Sequence, residues 1–323
     1  SWPRAIGTHL MAAALRDQKL IEGMFHSTGG FKWYLDDYIS DGRFYNEEFA
    51  KYYSVTVSML LSCAALSRLG LCHIGGGIPG LGVSEHAVVA GYLPNGGKGG
   101  DNWWSNSHMN GPMPKGQAPL WFEIGHRRFP DAGYDYFLAQ MRKPGEELYL
   151  PSLYFGLKPI DPKKVKPPTV SSYVAMVRGF AFLRAEESPA YWESPAPAVG
   201  FQFAHYYAHY AHDAFTLLGY QAFNRPIYIN TWGADRGAAP STVNDDIKRM
   251  PNTGYIWGHP WKDTIRGHAG VTVDNLKARW TDNGEEGLKN NTVRHGFDPM
   301  VKFVAGRTRG IYPDVEAERG LML

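Results

Sequence analysis

Apolar side chains recur at Ile6, Leu10, Ala13, Ala14, Leu20, Ile21 and Phe25, close to the period of a helix, and Gly29-Gly30 ends the run. The spacing predicts one helical stretch over 5–25. Phe31 to Ile39 reads as a short helix or turn, and Asp41-Gly42 as a turn signal. Glu47 to Leu69 has a strong helical pattern ended by Gly70. A loop rich in Gly, Pro and Asn follows from Gly75 to about Pro119, interrupted by a helix over Ser84–Tyr92. Further helical stretches are predicted from Leu120 to Gly125 and from Asp131 to Met141, the latter with Ala132, Tyr136, Phe137 and Met141 on its apolar face.

The pattern then changes. Lys158 to Thr169 holds four prolines and four lysines and reads as a stiff linker. Beyond it the apolar runs are short and separated by turn residues: Ser172–Val177, Phe180–Leu183, Val199–Phe203, Phe215–Tyr220, Pro226–Ile229, Gly270–Asp274 and Val301–Val304. Gly320 to Leu323 reads as the start of another strand. Helices first and strands second predict two segregated domains, not alternating β-α units. The expected division is a helical domain over 1–157, a linker over 158–169 and a β domain over 170–323.

Composition narrows the function classes. The 323 residues are 44% hydrophobic and 20% charged, as in a globular protein. A net charge of +2 gives no electrostatic case for nucleic acid, yet would not repel a polyanionic sugar. No apolar run reaches the roughly 18 residues of a membrane span. Two cysteines, Cys63 and Cys72, are too few for a disulfide scaffold or zinc knuckle and read as buried thiols. The 10 Trp, 19 Tyr and 16 Phe matter more, because several, such as Trp103, Trp104, Trp232, Trp257 and Trp261, sit in polar loops. Flat rings there suit stacking on sugars; filling a core with one polar end wet is the plainer role.

Three stretches carry a resemblance. The first is Gly30-Phe31-Lys32-Trp33-Tyr34-Leu35, then Asp41-Gly42-Arg43-Phe44-Tyr45-Asn46-Glu47 and Tyr52-Tyr53. The second is His209-Tyr210-Ala211-His212-Asp213, an apolar run, then Asn224-Arg225-Pro226 and a run ending at Asn230. The third is Arg266-Gly267-His268-Ala269-Gly270-Val271-Thr272-Val273-Asp274. In this order they resemble the heparinase II/III-like polysaccharide lyases. Gly310–Val315 with Glu318-Arg319 is similar to a downstream strand pair of that family.

The resemblance implies an α+β multidomain fold: an incomplete α/α-toroid followed by an antiparallel β-sandwich. It implies cleavage of a uronic-acid polysaccharide by β-elimination. Tyr52, with Tyr53 as the adjacent alternative, matches the catalytic tyrosine, and His209 the catalytic histidine. A structural zinc is implied, with His268 as the matched ligand. Two positions depart: the second ligand histidine falls on Ala211 and the ligand Asp on Asn230, so His212 is the nearby substitute. Trp103, Trp104, His108, His205 and Arg266 are candidates to line a substrate cleft, and Arg184 is a further cation for a carboxylate. The resemblance also implies a periplasmic or secreted protein whose partners are the anionic polysaccharide and further parts of the same polypeptide. Starting at Ser1-Trp2-Pro3, the sequence reads as a fragment or processed chain.

The chemistry suits these residues. Elimination needs neutralisation of the uronate carboxylate, a base at C5 and an acid at the leaving oxygen. A neutral His is a competent base, and a Tyr serves as acid, or as base beside a cation. Tyr52 and His209 are expected to meet where the two domains join. Three alternatives stay open. His205, His209 and His212, spaced i, i+4 and i+7, would form a zinc hydrolase site if that segment were helical. Ala211 and Asn230 also fit a non-catalytic carbohydrate-binding relative. The same C5 abstraction followed by reprotonation gives an epimerase.

Overall fold

The structure is a computed structural model that describes residues 2–27, 39–40, 44–45, 70, 123, 132–141, 160–161, 163–176, 179–203, 215–223, 225–229, 291–312 and 315–323. The chain divides into two compact units: Ser1–Ala90 with Met113–Pro168, and Gly91–Pro112 with Thr169–Leu323. It mixes helices and strands, and every strand pairing described is antiparallel.

In the first unit the stretch expected as one helix is two, α1 (Trp2–Leu15) and α2 (Gln18–His26). The break is a pair of caps fused at Asp17. Arg16 takes a left-handed φ of 54°. Its N–H bonds the Ala13 carbonyl at 3.2 Å, and the Asp17 N–H bonds that of Ala12 at 3.3 Å. Those two bonds close a helix C-terminus that glycine normally occupies. The Asp17 carboxylate then accepts the Leu20 N–H at 3.0 Å and starts α2. Ala12, Ala13 and Ile21 form a small buried cluster with Met24 and Phe25 against it. Leu10, Ala14 and Leu20, part of the apolar spacing of the sequence, are exposed.

Two short strands, β1 (Ile39–Ser40) and β2 (Phe44–Tyr45), pair on either side of Asp41-Gly42. Ile39 therefore opens a strand and does not close a helix. Helix α3 (Ala132–Met141) follows the predicted bounds closely, and Tyr134, Tyr136, Phe137 and Leu138 on it are all buried. Such a run covers more than one helix face.

The second unit holds two sheets. Strands β3 (Tyr173–Ala175), β4 (Phe180–Arg184), β5 (Ala198–Gln202), β6 (Thr216–Ala222) and β7 (Arg225–Ile229) form a five-stranded meander in chain order. A 3₁₀ turn, Pro189–Trp192, capped by Ser188, lies between β4 and β5. Strands β8 (Asn291–Phe297), β9 (Lys302–Tyr312) and β10 (Val315–Met322) form a three-stranded sheet in the order β10-β9-β8. The β8–β9 turn is fastened by Asp298, whose carboxylate accepts the Met300 N–H at 2.8 Å.

The five-stranded sheet is buried on both faces at β4 and β5. One face, through Ala181, Leu183, Val199, Phe201, Phe203 and Phe215, shares a single hydrophobic cluster with Val304 of β9. Val293, Val315, Ala317 and Leu321 of the three-stranded sheet pack against the same cluster. Strand β9 alternates cleanly: Lys302, Val304, Gly306 and Thr308 point inward, while Phe303, Arg307 and Arg309 are exposed. Gly320 to Met322, expected to begin a strand, instead end β10, whose pairing runs back to Val315.

Candidate functional site

Apart from Arg184, every residue the sequence proposed for catalysis, substrate or metal lies outside the described residues. These are Tyr52, Tyr53, His209, Trp103, Trp104, His108, His205, Arg266, His268, His212 and Asn230. The strand expected at Gly270–Asp274 lies outside them too. Among the described residues, no group of three or more His, Cys, Asp or Glu side chains is placed to hold a metal, and no helix is long and apolar enough to cross a membrane. What is described is the framework that receives the second motif.

Arg184 is not a substrate cation. It ends β4 at 1% exposure, and its Nη1 donates to the Ser171 carbonyl at 2.8 Å. Its guanidinium lies 5.2 Å from the Tyr191 ring centroid, 5.3 Å from Phe182 and 5.7 Å from Tyr173. Three aromatic faces around one desolvated cation make this a structural post. Burial pushes the Tyr191 phenol up from its ordinary value, partly offset by the Arg184 charge, so the ring stays neutral.

A second polar group ties the sheets together. Lys302 enters from β9 at 7% exposure. Its Nζ lies 2.8 Å from the Glu187 carboxylate and donates to the Arg184 carbonyl at 2.7 Å. Glu187 also accepts the Ser172 N–H at 2.6 Å, and the Arg184 N–H bonds Ser172 Oγ at 2.9 Å. Burial raises the Glu187 carboxyl, but the bonds from Lys302 and Ser172 outweigh it and hold the group below its ordinary value. Lys302 shares the inward parity of Val304 and Gly306, and that alternation is the sequence signal by which it could have been found.

The connection from β5 to β6 carries His205, His209 and His212. Its two ends are described. Phe203 is 1% exposed, and its N–H bonds the Gly179 carbonyl at 2.8 Å; Gly179 needs its left-handed φ of 82° to form that turn. Phe215 is 6% exposed with φ 60°. The Phe201 ring stands between them, 6.2 Å from Phe203 and 5.9 Å edge-on to Phe215. Arg319, from β10 of the other sheet, donates through Nη1 to the Phe215 carbonyl at 2.8 Å. Burial pushes the guanidinium down from its ordinary value, and the neighbouring Tyr228 opposes that shift.

Strand β6 is therefore bracketed by two left-handed phenylalanines, Phe215 and Phe223 (φ 55°). At Phe223 the N–H bonds the Pro195 carbonyl at 2.8 Å. Strand β7 then opens on Arg225-Pro226, with Tyr220 opposite Tyr228. Pro226 falls on the last strand of the described order, where a missing N–H costs least.

No protein-family model matches the chain, and a search of curated proteins finds no match.

Proposed function

We propose that the chain is part of a polysaccharide lyase that cleaves a uronic-acid-containing polymer by β-elimination. The observation that carries this reading is the second motif's local order. In the sequence a His209-to-Asp213 segment precedes a buried strand, Thr216–Ala222, then a turn residue, Phe223, then a strand, Arg225–Ile229, that opens on Arg225-Pro226. The resemblance has a strand, a turn with Arg-Pro and a strand there; here Arg225-Pro226 begin the second strand instead of lying in the turn. The α/α-toroid, the β-sandwich and a periplasmic or secreted location belong to the same proposal.

In the proposed reaction His209 takes the C5 proton of the uronate. The C5–H electrons form the C4–C5 double bond, the C4–O4 bond breaks, and Tyr52 protonates the departing oxygen. A cation or hydrogen-bond donor beside the carboxylate stabilises the enolate-like charge; Arg266 is the candidate from this chain. The resemblance gives zinc a structural role, with His268, His212 and Asn230 as candidate ligands. No catalytic step passes through it.

The test is ultraviolet absorbance during incubation with alginate, glucuronan, ulvan and glycosaminoglycans. Absorbance from an unsaturated product should rise with one of them. Tyr52→Phe and His209→Ala should each slow that rise by about a hundredfold or more, the usual worth of a general acid or base. Full activity in both variants would contradict the assignment.

A further inference from the structure

The five-stranded sheet has a second buried face, opposite the aromatic cluster. On β4 it carries Phe180, Phe182 and Arg184, and on β5 Ala198, Gly200 and Gln202, because Ala181, Leu183, Val199 and Phe201 point the other way. Cross-strand partners share a face, so Thr216, Gly219 and Gln221 of β6 lie on it as well. At β4 this face is a wall of rings around Arg184. At β5 and β6 its character changes. Gln202, Thr216 and Gln221 are all fully buried, and Gly200 stands directly opposite Gly219, which leaves a floor of bare backbone among the polar side chains. Amides, a hydroxyl and glycines contribute little to a hydrophobic core.

Gln221 is the informative member. It is 0% exposed, and neither its Oε1 nor its Nε2 has a hydrogen-bond partner among the described residues. Its cross-strand neighbours, Ala198 and Pro226, have no side-chain group that could bond an amide. A buried amide left unmet is costly, and a fold that keeps one calls for an occupant that meets it. The pairing of β6 is also irregular on both sides of this residue. Its register shifts against β5 between Gly200 and Phe201, and against β7 between Tyr220 and Gln221. Bulges of this kind re-aim side chains and are enriched beside functional sites.

The chemistry of the patch selects the ligand. A primary amide offers an acceptor and a donor side by side, which match one hydroxyl or two neighbouring ones. The charge in the same row, Arg184, already donates to the Ser171 carbonyl and lies among three rings, so the patch favours a neutral group over an anion. The glycine floor lets a flat ring approach the backbone. We propose that the β5–β6 part of this face is a binding site for the hydroxyl groups of a sugar ring, with Gln221 as the residue that reads them. That the sugar is a unit of a uronate polymer rests on the lyase reading; the unmet amide does not. The site is shut from solvent, so a ligand enters as the fold opens locally there.

The experiment uses the full chain. Its probes are oligosaccharides of alginate and glucuronan and their carboxyl-reduced, neutral counterparts. Affinity is measured by titration calorimetry, and stability by denaturant unfolding without sugar, in the parent, Gln221→Met and Gly219→Ala. Methionine keeps the length of the side chain and removes both unmet atoms. Gln221→Met should lower the unfolding constant about tenfold, because a buried amide without a partner is lost. It should weaken binding of the charged and the neutral probe alike, again by about tenfold. Gly219→Ala raises the floor at a position whose φ is not left-handed, should weaken both probes too, and decides if Gln221→Met does not fold. A less stable but folded Gln221→Met protein would mean that the amide is bonded inside the fold, as by a buried water, and overturns the proposal. Parental affinity in a folded variant overturns it, as do a loss confined to the charged probe and a parent that binds neither probe. Unsaturated product formed equally well by the parent and Gln221→Met sinks this proposal and leaves the lyase reading standing. Sugar binding that depends on Gln221, with no unsaturated product from the parent, does the reverse.

Discussion

The two helices α1 and α2 and the pair of sheets solve the same problem with different means. The helices meet through Ala12, Ala13 and Ile21, with Met11 and Leu15 left 64% and 69% exposed. The sheets meet through Phe201, Phe203, Phe215, Leu183, Val199 and Val304, each at most 6% exposed. Polar ties differ in the same sense. Asp17 makes a local cap on the surface, whereas Lys302 and Arg319 each cross from one sheet to a carbonyl of the other. Stability concentrated in long-range aromatic packing holds a framework rigid. Stability from small residues and caps makes a hairpin that opens more readily.

The strongest way to break this contrast is to empty the sheet core. Phe201→Ala should cost ~3–5 kcal/mol, the usual range for a buried Phe, read as a lower denaturant midpoint. A loss below about 1 kcal/mol would mean that the core is not the dominant support. Lys302→Met keeps the stem and removes the charge. It should cost ~2–3 kcal/mol, less than a fully buried pair because Glu187 is 33% exposed.

The same pair makes an acid-range prediction. The Glu187 carboxyl is held below its ordinary value, so its stabilisation is full above the unfolded-state pKa of about 4.3. It is lost as pH falls through the lower folded-state pKa. Glu187→Gln should therefore be less stable than the parent at pH 7, and the two should converge in the acid range. A gap that widens on acidification would have the wrong sign. Smaller effects belong to the helices. Asp17→Ala should cost about 1 kcal/mol and speed deuterium exchange in α2 while leaving β4 unchanged. Arg16→Gly should stabilise by up to about 1 kcal/mol, since glycine bears no penalty at φ 54°.

Much of the framework was legible where one signal dominated. Continuous apolar runs located β4 and β5, and helical spacing located α3. The α1–α2 break was hidden because arginine, not glycine, takes the left-handed position. Strand β8 was missed because Asn291–Phe297 carries only two strongly apolar residues, Val293 and Phe297. Only the inward side of β8 packs against the core. The Lys302–Glu187 pair joins residues far apart in sequence, which periodicity does not reveal. The proposed site residues Tyr52 and His209 lie outside the described residues and rest on the resemblance alone, since one Tyr among 19 has no local pattern of its own. The strand–turn–strand after His209 was readable from its apolar runs and turn residues.

The central claim is elimination, and its most direct test is the mass of the products formed in heavy-oxygen water. Elimination adds no water, so each cut should give one fragment lighter by one water than its hydrolytic counterpart, with no solvent oxygen in either. Products that carry solvent oxygen and lack unsaturation would contradict the account and favour hydrolysis by the His205, His209 and His212 cluster.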